Sequence, residues 1–98
     1  MRTPRSARCP QGCTGVHSYT SDDVRWCWPG AMPGRQALDV ELVTDTPPAV
    51  AAGYPDAVTF FRAWTQLEVV AKLTDTPALT LVGRGCLGQP PPAGVEVE

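Results

Sequence analysis

The segment DAVTFFRAWTQLEVVAKL, residues 56–73, admits two secondary structures, and the fold turns on which one forms. On a helical template Ala57, Phe60, Phe61, Trp64, Leu67, Val70 and Ala71 share one apolar stripe, the mark of an amphipathic helix. Pro55 and Asp56 suit a helix start, and Pro77 lies just past its end. Against this, Val58, Thr59, Thr65, Val69 and Val70 are β-branched and lower helix propensity. Gln66 to Lys72 also alternates, with Leu67, Val69 and Ala71 opposing Gln66, Glu68 and Lys72. The competing reading is therefore a shorter helix ending near Trp64, followed by a strand. No Gly or Pro interrupts the run, so the spacing predicts one helix over 56–73, about five turns long. Phe60, Phe61 and Trp64 become its buried face. Left uncovered, they would form an apolar patch of the kind that marks a protein contact.

Upstream, Ala37 to Val43 alternates, with Leu38, Val40 and Leu42 opposing Asp39 and Glu41, which predicts a half-buried strand over 37–43. Downstream, the apolar run Ala78 to Val82 predicts a second strand over 78–82. The tetrapeptide Thr-Asp-Thr-Pro follows a hydrophobic stretch at 44–47 and again at 74–77. Two copies fall short of the roughly three that a solenoid needs, so both read as turns. Residues 1–8 read as a flexible basic arm, and 89–98 as a disordered acidic Pro-rich tail. What lies between, 9–88, is a single domain small enough for a staple to help a thin hydrophobic core.

That staple has an evident source in CPQGCTGVHSYTSDDVRWCW, residues 9–28, which holds three of the four cysteines and the only histidine. Pro10, Gly12, Gly15, Pro29, Gly30, Pro33 and Gly34 give 9–34 turn chemistry and little periodicity, so it reads as a Cys/His loop that needs a cross-link. Cys9, Cys13 and His17 stand at C-x3-C-x3-H, with Cys27 beyond. Zinc takes four such thiolate and imidazole ligands as a tetrahedron, and a closed Cys3His set is structural. Cys27 is preferred over Cys86 or Asp22 as the fourth ligand, and Trp26 and Trp28 flank it. The alternatives to zinc are unligated thiols, with Cys27 a small buried hydrophobe, or disulfides in an oxidising compartment. The arginines of the N-terminus precede no apolar region, so it is not read as a secretory signal, and a reducing cytoplasm is the expected location.

The opening Cys9-Pro10-x-x-Cys13-x3-His17 resembles that of small actinobacterial and actinophage proteins beginning with a CP-x-W-C…H segment, where this chain has Gly12 in place of the tryptophan. Those proteins tend to finish on a helix, whereas this chain is expected to continue through the 78–82 strand and a proline-rich tail. The resemblance implies a metal-binding accessory protein.

Other chemistries fare worse. Gly83-Arg84-Gly85-Cys86-Leu87-Gly88 fits the spacing of a dinucleotide fingerprint. The pyrophosphate needs a helix to open there, and Gln89-Pro90-Pro91-Pro92 follows instead. No paired carboxylates, nucleophile motif or oxyanion loop is recognisable, so an enzyme is not expected. No apolar run is long enough to span a membrane. Residues 1–35 carry five arginines against Asp22 and Asp23, while 36–98 carry three cations against eight acids. That asymmetry permits an anionic partner at the N-terminal end, where Arg25, Trp26 and Trp28 interleave cation and aromatic as single-strand binders do. The net charge of −2 weighs against it.

The sequence thus predicts a small α+β domain: a zinc-knuckle-like N-terminal loop, a short β-sheet and one amphipathic helix. Its expected role is a non-enzymatic protein-interaction or regulatory module, stabilised by structural zinc on Cys9, Cys13, His17 and Cys27. The alternatives are a zinc-dependent nucleic-acid binder and a structural subunit of a larger assembly, such as a phage particle.

Overall fold

The helical reading of 56–73 is the one that forms. The computed structural model describes residues 7–8, 14–43 and 51–97, and in it α1 spans Ala57–Thr74. The Thr59 amide donates to Asp56 Oδ1 at 2.7 Å, capping one of the orphan donors of the first turn. Asp75 ends the helix in the left-handed conformation, its N–H turned back to the Ala71 carbonyl. Phe60, Phe61, Leu67, Val70 and Ala71 are buried, so the stripe read from the sequence is the face that packs.

Ala78 to Val82 is not a strand. It forms α2, Ala78–Gly83, so the described residues contain two helices where one was expected. A run of five apolar residues does not separate strand from helix by period. Proline at 77 decides the matter locally, because its fixed φ and missing N–H suit a helix start. Helical spacing then puts Ala78, Leu81 and Val82 on one side, against Leu67, Val70 and Ala71 of α1. A second cluster joins Ala51, Tyr54 and Ala57 to Phe60 and Phe61, with Trp64 and Leu87 touching both clusters. Phe60 is fully buried, and its ring meets Tyr54 and Phe61 edge-on, with centroids 5.6 Å and 4.9 Å away.

The expected Cys/His loop contributes two strands to a sheet, and the end of the expected basic arm contributes a third. β1 (Ala7–Arg8), β2 (Val16–Tyr19) and β3 (Arg25–Trp28) pair antiparallel in the order β1-β3-β2. Thr20 and Val24 close the β2–β3 hairpin through the Thr20 amide and Val24 carbonyl, and Asp23 adopts the left-handed conformation before the return. Gly15 enters β2 at φ +113°, where an added Cβ would lie 2.2 Å from the Trp28 carbonyl oxygen. Gly15→Ala is therefore expected to cost about 1–3 kcal/mol by combining backbone strain with a contact that only main-chain movement relieves. Urea melts of both proteins measure that difference, and equal stability would contradict the packing.

The strand expected over 37–43 is also absent. Its natural partner, 78–82, has become α2, and no backbone–backbone hydrogen bond joins 37–43 to any described residue. Two side chains hold it instead. The Val40 amide donates to Ser18 Oγ at 2.9 Å, and Lys72 Nζ of α1 donates to the Leu38 carbonyl. Leu38 is buried, but Leu42 and Val43 are exposed.

Residues 89–97, expected to be disordered, lie along the helices. Gln66 Nε2 donates to the Gln89 carbonyl at 2.9 Å, and Val95 packs on the α1–α2 cluster. The apolar residues of the tail outweigh its prolines. Residues 1–6 of the basic arm and the turn at 44–47 lie outside the described residues. Both apolar clusters are built from 51–95, and among the described residues the sheet contributes to neither.

Candidate functional site

Strand register brings two of the four proposed zinc ligands together. His17 on β2 and Ala7 on β1 both pair with Cys27 on the central strand, so the three residues form one row across the sheet. Directly paired residues share a face and stand about 5 Å apart. Cys27 is buried at 2% exposure. Cys9 and Cys13 lie outside the described residues. Among the described residues no group of three His, Cys, Asp or Glu side chains is arranged to hold a metal. Cys86 packs against the α1–α2 cluster instead.

His17 Nε2 lies 3.2 Å from an Arg25 terminal nitrogen. A guanidinium only donates, so Nε2 offers its lone pair and the ring proton sits on Nδ1. The same imidazole cannot accept from Arg25 and ligate a metal, because a neutral ring has one free lone pair. Metal binding at His17 requires Arg25 to leave.

Arg25, Trp26 and Trp28 do not form one surface. Side chains alternate along a strand, so Arg25 shares a face with Cys27 while Trp26 and Trp28 occupy the other. Arg25 Nε and Trp26 Nε1 are buried without a hydrogen-bond partner among the described residues, and all three side chains are half-buried. The glycines at 83–88 form the end of α2 and turns after it, and no helix opens from them.

A cleft of about 920 Å³ lies between α1, segment 35–39 and segment 94–97, with Trp28, Arg35 and Arg62 on its walls. Asp39 is the unusual group there. The alternating pattern assigns it to solvent, yet its side chain is only 6% exposed. One oxygen, Oδ1, lies 3.4 Å from Lys72 Nζ, and the other, Oδ2, is buried with no hydrogen-bond partner among the described residues. Burial, then the neighbouring Glu41, raise the Asp39 pKa from its ordinary 3.8 to about 7, with Lys72 pulling the other way. Burial and the charge of Asp39 also hold Glu68 above the usual carboxylate range. A sequence separation of 33 residues hid the Asp39–Lys72 pair from any local reading.

No protein-family model, curated protein or solved structure matches the chain. Among the described residues, no helix is long and apolar enough to cross a membrane.

Proposed function

We propose that the chain is a small non-enzymatic protein-interaction module whose N-terminal sheet is held by structural zinc on Cys9, Cys13, His17 and Cys27. The carrying observation is the unpaired segment 37–43. It has the alternation of a strand and, among the described residues, no ladder partner, and Leu42 is 40% exposed at its end. A row held by side chains and not by a backbone ladder is a template for an incoming strand, so the docking element is this segment.

Zinc supplies what the sheet lacks. Among the described residues it shares no apolar cluster with the helices, and a metal worth about 10–16 kcal/mol would exceed any packing available to so short a hairpin. Support comes from the strand register, which pairs His17 directly with Cys27. Zinc must displace Arg25 from His17, so Arg25→Ala is expected to tighten zinc binding about tenfold. Competition with a chromogenic chelator measures the change, and an unaltered affinity would remove His17 from the ligand set.

A photo-crosslinking amino acid at position 42, with a control at the exposed Leu79 of α2, tests the docking element. A discrete adduct is expected from position 42 alone in a lysate of source cells. It should disappear when Glu41→Pro removes an N–H from the segment. Identical adducts from both positions, or adducts that survive Glu41→Pro, would contradict the assignment.

A further inference from the structure

We propose that Asp39, Glu41, Glu68 and Lys72 form a pH-sensitive latch that holds segment 37–43 against α1 when Asp39 carries a proton and loosens it when Asp39 ionises. The inference rests on the reading of 37–43 as the docking element only for its biological meaning, because the latch itself operates in the free chain.

The geometry sets an imbalance of charge. Asp39 feels the charge of Glu41 on the segment itself and of Lys72 on α1, and Glu68 of α1 feels both Asp39 and Lys72, so three carboxyl groups meet one ammonium. Lys72 already divides its donors between the Leu38 carbonyl and Asp39 Oδ1. Oδ2 is covered and receives no donor, an arrangement that suits a protonated oxygen and penalises a charged one. On the remaining sides the titratable or charged groups among the described residues are His17, Arg35 and Arg62. His17 of β2 shares a smaller cleft with Leu38 and Lys72, while Arg35 and Arg62 line the larger cleft with Asp39. None of the three makes a hydrogen bond to Asp39 among the described residues.

The segment is also poorly held otherwise. Among the described residues it has no ladder, and its anchors are the Val40 amide on Ser18, the Lys72 contacts and the buried Leu38 side chain. Ionising Asp39 adds a buried charge beside two others, and the least costly relief is to lift the segment into water. Leu38 and the wall of the large cleft would leave with it. Release above neutral pH would therefore free the backbone row for a partner, and proton uptake would cover it again.

Amide hydrogen exchange read by NMR tests this without any partner, at pH 6 and pH 8, after correction for intrinsic rates. In the wild type the protection of the Val40 amide is expected to fall at least tenfold between the two, while amides at Leu67 and Val70 in the middle of α1 keep theirs. Asp39→Asn, which mimics the protonated acid, should keep the pH 6 protection at both values. Glu41→Gln should move the wild-type transition to lower pH. Equal Val40 protection at both pH values, or the same loss in Asp39→Asn, would overturn the latch. So would a parallel fall across α1, which would assign the effect to global unfolding. A latch that fails here leaves the crosslinking result at position 42 untouched, so the two ideas fall separately.

Discussion

Phe60→Ala is expected to destabilise the fold by about 3–5 kcal/mol, most of what a chain of this size has to lose. Phe60 is fully buried at the centre of an aromatic group, with Tyr54 and Phe61 edge-on and the Trp64 ring stacked at 6.0 Å. Truncation removes the transfer free energy of the ring and leaves a cavity that three rigid neighbours cannot collapse into. Val58→Ala, on the exposed face of the same helix, should cost no more than about 0.5 kcal/mol. Urea denaturation followed by far-ultraviolet circular dichroism compares the two. A Phe60→Ala cost below about 1 kcal/mol would mean that this cluster is not the core.

Asp39→Asn is expected to stabilise the protein at alkaline pH and to do little at acid pH. Asp39 titrates near 3.8 when unfolded and at about 7 when folded, so the folded state binds its proton more tightly. The stability this contributes is fully present below pH 3.8 and is lost as pH rises towards 7. Asparagine keeps the shape and cannot ionise. Between pH 5 and pH 8 the stability difference should therefore move by about 2 kcal/mol in favour of Asp39→Asn. Opening of the 37–43 segment would return part of the full linkage, which keeps the figure below its limit. Denaturant melts of both proteins across that range give the answer, and a difference independent of pH would contradict the buried, donor-poor setting of Asp39.

What the sequence made legible was the long-period pattern. Seven apolar positions over eighteen residues carry enough repetition to override five β-branched residues, and α1 formed where its spacing put it. Short runs carried no such weight. Ala78 to Val82 reads equally as strand or helix, and its choice depended on Pro77 before it and on the Leu67 face beside it. Once 78–82 was helical, 37–43 lost its partner, so one ambiguity produced two misreadings. The β2–β3 hairpin was readable in principle. Val16 to Thr20 and Val24 to Trp28 are rich in β-branched and aromatic residues, and the intervening Ser-Asp-Asp is turn chemistry. Attention to the cysteines and glycines as loop signals hid it. The Asp39 setting had no sequence signal, because solvent-face alternation and burial against Lys72 look alike until the chain folds.

The account stands most directly on what holds the sheet half together. Two apolar clusters stabilise the helices, and neither reaches Cys27 and its row. Native mass spectrometry of protein purified without added metal, beside Cys13→Ser, measures this at once. The account predicts one zinc per chain in the wild type, none in Cys13→Ser, and loss of the hairpin NMR resonances of Val16–Trp28 in that variant with those of α1 retained. A metal-free wild type whose hairpin resonances match those of Cys13→Ser would contradict it, and the sheet would then have to be held by packing alone.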